Sequence, residues 1–243
     1  MDNKKKLHIM LLWPILYTAG MGLSNYIVYH HFHISYGSDS YASSMLPFIA
    51  ILTAGTLICF LLQKKQLALP WTGQGKLPLF LILFLPLAGM ALYYFFIGGE
   101  LTKAFLLPLL TALLVGIAEE MMFRRILYVT LLRSFPEQGS KKPLFISAAL
   151  FSLLHAVNIF AGSTVPQVLI QLAATFVAGL FFALMYEYTR SIFLMIATHF
   201  LWDYILLSGA VHKIPAFAIV MGLLEVMQVL IMLVLLKRKW KQV

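Results

Sequence analysis

The stretch GIAEEMMFRR, residues 116–125, interrupts a run that otherwise reads as lipid-facing helix, AFLLPLLTALLVGIAEEMMFRRILYVTLL (104–132). Two adjacent carboxylates, Glu119 and Glu120, stand inside it. An ionised side chain in the hydrocarbon of a bilayer costs roughly 2.5–3.5 kcal/mol on insertion scales. Carboxylates kept at that cost need a partner, and usually serve a purpose.

The composition fixes the solvent. Hydrophobic residues make up 61% of the 243 and charged residues 11%, against roughly 45–50% and about 25% in a soluble domain. This is an integral membrane protein. About eight apolar segments, near 8–29, 43–63, 77–97, 103–123, 143–161, 166–187, 191–209 and 215–236, approach or reach the ~20 residues that a spanning helix needs. The expected fold is therefore all-α, a polytopic bundle of about eight transmembrane helices forming a single domain over 1–243. The first segment is too long for a signal-peptide core and shows no clear cleavage site before Asn25, so a retained helix is expected. The one cysteine, Cys59, lies in the apolar run TLICFLL, which excludes a disulfide framework and a cysteine metal site.

The net charge of +9 is explained by where the charge lies. With the amino terminus in the cytoplasm, sixteen of the 18 basic residues fall inside: Lys4, Lys5, Lys6, Lys64, Lys65, Lys76, Arg124, Arg125, Arg133, Lys141, Lys142, Arg190, Lys237, Arg238, Lys239 and Lys241. Only Lys103 and Lys213 fall outside. That asymmetry is the positive-inside pattern, and it suits an anionic inner leaflet, so no nucleic acid is needed to account for it. Both termini are expected in the cytoplasm of a multi-pass cell-membrane protein, with Trp71 and Trp240 in the interfacial aromatic belt.

Polar residues at membrane depth are few: Glu119, Glu120, His155, Asn158, His199, Asp203 and Glu225, with Glu187 near an interface beside Arg190. Glu120 and Arg124 stand i,i+4 and can pair on one helix face. Adjacent residues point about 100° apart, so Glu119 faces elsewhere. Phe151 with His155, and His199 with Asp203, repeat the i,i+4 spacing on two further segments. Counted from each segment's cytoplasmic end at ~1.5 Å per residue, Glu119, His199, His155 and Asp203 all lie ~8–18 Å deep. Three helices thus bring their ionisable groups to one slab, where such groups face the bundle interior and one another. Asn158 reads as structural, and Glu225 with Gln228 as an interhelical hydrogen bond. Pro86 and Pro108 suggest kinks.

These three blocks, Glu119-Glu120-x-x-x-Arg124, Phe151-x-x-x-His155 and His199-x-x-x-Asp203, resemble the three motifs of the CAAX-protease and bacteriocin-processing (CPBP, or Abi) family of intramembrane endopeptidases, a type II CAAX prenyl endopeptidase-like group. The family pattern is EExxxR, FxxxH, then HxxxN or HxxxD, and the motif-bearing core here runs from about 103 to 210. The resemblance implies a hydrolase acting on a peptide bond of a membrane-associated peptide or protein, at a cytoplasm-facing site. It implies that Glu119 and His155 bind and activate water, that His199 and Asp203 stabilise the oxyanion or help hold a metal, and that Glu120, Arg124 and Phe151 support the site. Eukaryotic members, which cut prenylated C-terminal motifs, tend to carry Asn where this chain has Asp203. An ionised Asp cannot donate to an oxyanion, so Asp203 is protonated, orients His199, or is a metal ligand. The family is described both as metalloproteases and as metal-free glutamate proteases. Glu119, His155, His199 and Asp203 are the metal candidates, with one divalent ion such as Zn²⁺ or none as the two cofactor alternatives. The rival readings are an ion- or proton-coupled transporter and a non-catalytic immunity or scaffold protein.

The charge asymmetry yields a direct test. A green fluorescent protein fused after Val243 is expected to fluoresce, and alkaline phosphatase at the same place to stay inactive; an active phosphatase would reverse the orientation.

Overall fold

The structure, a computed structural model, describes residues 3–69, 74–97, 103–135 and 141–240, with side chains from residue 12 in the first stretch and from 105 in the third. Trp71 and Lys241 lie outside the described residues, as do the side chains of Lys4, Lys5, Lys6 and Lys103. The described residues are helical with no strand: α1 (Asn3–His30), α2 (Tyr41–Gln63), α3 (Pro78–Ile97), α4 (Lys103–Glu120), a π-helical segment (Met121–Tyr128), α5 (Val129–Ser134), α6 (Lys141–Leu154), a 3-10 segment (His155–Ala161), α7 (Val165–Thr189), α8 (Ile192–Leu207), α9 (Ala210–Lys213) and α10 (Pro215–Trp240). A helix occupies each of the eight apolar segments. Six stretches among the described residues are long and apolar enough to cross a membrane, and α8 is a shorter apolar helix. The protein is a multi-pass membrane protein.

The fourth segment departs from its expected end. Instead of stopping near residue 123, the helix continues as one apolar unit from Phe105 to Ser134. The two arginines that break the hydropathy are accommodated inside the fold. Arg124 is 1% exposed, and Arg125 donates to the Leu67 carbonyl and lies over the Phe60 ring. Arg124 is therefore a buried helix residue and no marker of a loop. The chain here winds as a π-helix, with i→i+5 bonds, a form that recurs at functional sites. The Ser147 hydroxyl donates to the Phe123 carbonyl at 3.0 Å, tying α6 to this segment. Pro86 and Pro108 both sit inside their helices.

Two close backbone contacts set the bundle around that segment. A Cβ on Gly116 would lie 3.1 Å from the Phe200 nitrogen and 3.2 Å from the Ile196 carbonyl, so α4 and α8 touch main chain to main chain. On Gly179 it would lie 2.9 Å from Ala148 Cα, which joins α6 and α7 in the same way. Small residues at such crossings are how membrane helices approach closely. Arg190, in the left-handed conformation (φ 56°), ends α7 by donating its N–H to the Tyr186 carbonyl at 2.7 Å. Only Arg190 and Ser191 separate α7 from α8, so the two pack as a hairpin, and the Ser191 hydroxyl caps α8 by accepting from Leu194 N. Glu187, expected near Arg190, instead accepts from Tyr128 and Lys239, linking α7 to the π segment and α10.

Gly116→Val pushes its branched side chain into the α8 backbone and is expected to destabilise the protein by about 1–3 kcal/mol, the usual cost of overpacking. Gly222→Ala, where a Cβ meets nothing within 4 Å, is expected to be neutral or slightly stabilising. Thermal unfolding in detergent compares the two, and equal midpoints would contradict the close approach.

Candidate active site

The α4–α8 contact at Gly116 brings the double carboxylate against the α8 histidine. Glu120 is fully buried. Its Oε1 lies 3.1 Å from Arg124 Nη1 and accepts from His199 Nδ1 at 2.8 Å. The expected Glu120–Arg124 pair is present, and it has a third member that spacing along one helix cannot reveal. On the other side of the ring, His199 Nε2 lies 3.4 Å from Asp203 Oδ2 and 3.8 Å from Glu119 Oε2. Both nitrogens of one imidazole thus face carboxylates, and its plane is fixed from two sides.

The α6–α7 contact supplies the aromatic walls. Phe151 lies one turn beyond Ala148, and Phe182 one turn beyond Gly179. The Arg124 guanidinium sits between them, 4.1 Å from the Phe151 centroid and 5.1 Å from that of Phe182. A guanidinium against an aromatic face gains roughly 2 kcal/mol or more when desolvated. That stacking compensates for Arg124 nitrogens that have no hydrogen-bond partner among the described residues. The same two rings flank His199, at 6.2 and 5.5 Å between centroids. Phe151, expected as a support, thus touches the cation and both histidines.

His155 opens the 3-10 segment, and its Nδ1 donates to the Phe151 carbonyl at 3.1 Å. The tautomer that makes this bond leaves Nε2 with a free lone pair. Glu119 is 4% exposed, and its Oε2 has no hydrogen-bond partner among the described residues. Glu119, His155, His199 and Asp203 all line one cavity of about 420 Å³, within the range of about 300–1,000 Å³ typical of ligand sites. Arg124 and Glu120 lie behind its wall. The depth agreement read from the sequence thus corresponds to a shared chamber.

Tyr36, Tyr41, Asn158 and Gln171 also line the chamber, and they are linked in a way the motifs do not announce. Tyr41 donates to Asn25 Oδ1 at 2.6 Å, Asn25 donates to Asn158 Oδ1 at 3.0 Å, Asn158 donates to Gln171 Oε1 at 2.9 Å, and Gln171 donates to the Tyr36 hydroxyl at 2.9 Å. Asn158 is structural, as expected, but as the centre of this chain. The available signal was Asn25, the single amide in the apolar stretch 9–29. Glu225 differs from expectation: it lines the cavity with Gln228, is exposed, and makes no hydrogen bond or ion pair among the described residues.

The metal alternative has a geometric requirement. Among the described residues, no three of His, Cys, Asp or Glu are grouped to hold an ion, and His199 already commits Nδ1 to Glu120. Glu119, His155, His199 and Asp203 therefore share a cavity without standing as a preformed ligand group among the described residues.

Residues 101–205 match the family model of type II CAAX prenyl endopeptidase Rce1-like proteins. This segment is Rce1-like. It begins just before α4, ends within α8, and contains all three motif blocks, while α1, α2, α3 and α10 lie outside it. No curated protein and no solved structure matches the chain. The similarity of that segment is thus to a family of membrane proteases.

The buried triad in the Rce1-like segment carries its own prediction. Arg124→Leu strands the Glu120 carboxylate and is expected to cost about 3–5 kcal/mol, whereas Arg124→Leu with Glu120→Leu recovers much of that loss. Unfolding by a denaturing detergent measures both, and simple additivity of the single losses would refute the coupling.

Proposed function

We propose that this protein is an intramembrane endopeptidase that hydrolyses a peptide bond in a membrane-associated peptide or protein, using a water activated by Glu119 and His155. The observation that carries the proposal is the chamber itself: the four motif residues from three helices line one cavity, within a segment matching an endopeptidase family.

Each group has a task suited to its surroundings. The lone pair on His155 Nε2 accepts from the water and orients it. Glu119, whose Oε2 has no competing hydrogen bond among the described residues, takes the proton as general base. The hydroxide adds to the scissile carbonyl carbon, and the carbonyl electrons move to oxygen. His199, protonated and held through Nδ1 by Glu120, shares its Nε2–H between Asp203 and that oxyanion. Glu119 then returns its proton to the leaving amine as the C–N bond breaks. Asp203 orients His199 in this scheme, so an ionised aspartate is compatible with the site. Glu120, Arg124 and Phe151 hold His199 in place. This scheme draws on side chains alone. The basic-residue asymmetry supports a cytoplasm-facing chamber, approached by substrate from the inner leaflet or the cytosol.

With the protein reconstituted in vesicles and offered membrane-tethered peptides, Glu119→Ala and His155→Ala are each expected to lower kcat by about 10²–10⁴-fold, the range contributed by positioned acid–base groups. Exhaustive chelation is expected to leave the wild-type rate within a factor of about two. Equal rates in all three proteins would overturn the endopeptidase, and chelator loss restored by Zn²⁺ would overturn the metal-free scheme.

A further inference from the structure

The chamber holds one carboxylate that the proposed chemistry leaves unused. Glu225 is the eleventh residue of the 26-residue α10, and the other charged residues of that helix, Lys237, Arg238 and Lys239, lie at its end. A carboxylate so placed is costly, and by default it marks a functional site. Glu225 lines the same cavity as Glu119, His155, His199 and Asp203 and is exposed. It makes no hydrogen bond or ion pair among the described residues. Three residues further along, on the same helix face, Gln228 is 7% exposed and lines the cavity too. Its amide likewise has no hydrogen bond among the described residues. At the chamber wall an unpartnered amide thus adjoins an unpaired carboxylate among the described residues.

The sign of the chamber says what these groups await. Besides the phenols of Tyr36 and Tyr41, its ionisable lining consists of three carboxylates and two imidazoles, with no Lys or Arg among the described residues. Arg124 is stacked between Phe151 and Phe182 and spent on Glu120. Among the carboxylates, Asp203 faces His199 and Glu119 is the proposed base, so Glu225 alone is uncommitted. Resting on the endopeptidase reading, we propose that Glu225 and Gln228 form a specificity subsite that binds a lysine or arginine side chain of the substrate. The Glu225 carboxylate pairs with the cation, and the Gln228 amide oxygen accepts a second N–H, a charge-assisted arrangement. Because α10 lies outside the segment matching the family, this preference is a property of this chain.

The test uses the full-length protein in phosphatidylethanolamine–phosphatidylglycerol vesicles. The probes are lipid-anchored fluorogenic peptides, identical except that Lys, Gln or Glu is moved through each position around the scissile bond. Wild type is expected to favour Lys over Gln at one fixed position by about tenfold in kcat/KM, the scale of one charge-assisted hydrogen bond. In Glu225→Gln the ratio is expected to fall to about one, and Glu225→Lys is expected to favour the Glu peptide. Absence of a Lys preference at every position, or its survival in Glu225→Gln, would overturn the subsite. Anisotropy binding of the same labelled peptides to detergent-solubilised protein separates the two proposals. A Lys-over-Gln affinity difference abolished in Glu225→Gln upholds the subsite even where no peptide is cut, an outcome that would sink the protease reading alone. No affinity difference overturns the subsite whether or not peptides are cut.

Discussion

A guanidinium taken wholly out of water must be both neutralised and solvated by protein, and the arrangement around Arg124 follows from that requirement. Glu120 supplies the opposite charge from the same helix, and the Phe151 and Phe182 rings supply polarisable faces in place of water. Removing any one of these strands the others, because a buried charge without its partner costs more than the pair contributes. Glu120 is in turn shared with His199. The orientation of the imidazole on α8 therefore rests on a cation on the π segment, which rests on rings from α6 and α7. Four elements are locked by one charge.

The lock holds because the helices are close enough for short side chains to reach. Gly116 lets α4 meet α8, and Gly179 lets α6 meet α7, each at main-chain distance. The π-helical winding after Glu120 lies between these contacts and carries Arg124 into the aromatic gap. In a bilayer, where lipid tails are as apolar as the helices, such packing and interhelical hydrogen bonds must take the place of the hydrophobic effect as the ordering force. The threonine hydroxyls that donate across α2 and α4, Thr53 to the Leu114 carbonyl and Thr111 to the Ala42 carbonyl, belong to the same economy.

Much of this was legible in the sequence, for reasons that differ from residue to residue. Apolar length exposed all eight helical segments, since backbone polar groups in lipid admit few alternatives to helix. Spacing exposed the Glu120–Arg124 pair, because i,i+4 contact is a local property. What one helix's periodicity cannot carry is which helix stands opposite, so the Glu120–His199 bond and the aromatic sandwich on Arg124 were hidden. The end of the fourth segment was missed because hydropathy counts Arg124 as a boundary, whereas neutralisation and stacking bury it. Glu187 and Glu225 were misjudged in the same way: the partners of one, Tyr128 and Lys239, and the solitude of the other depend on tertiary neighbours.

The hydrogen-bonded chain from Tyr41 through Asn25 and Asn158 to Gln171 and Tyr36 joins the amino-terminal third of the protein to the segment that carries the motifs. Asn25, on α1, satisfies both the side chain of Asn158 and the carbonyl of Val157, in the turn that opens with His155. Without α1 those groups would face hydrocarbon unpaired, at about 1–3 kcal/mol each. The motif-bearing segment is thus not a portable module: α1, which lies outside it, braces the far wall of its chamber, and a chimera that swapped that helix for a generic anchor would inherit the motifs without the architecture that aims them.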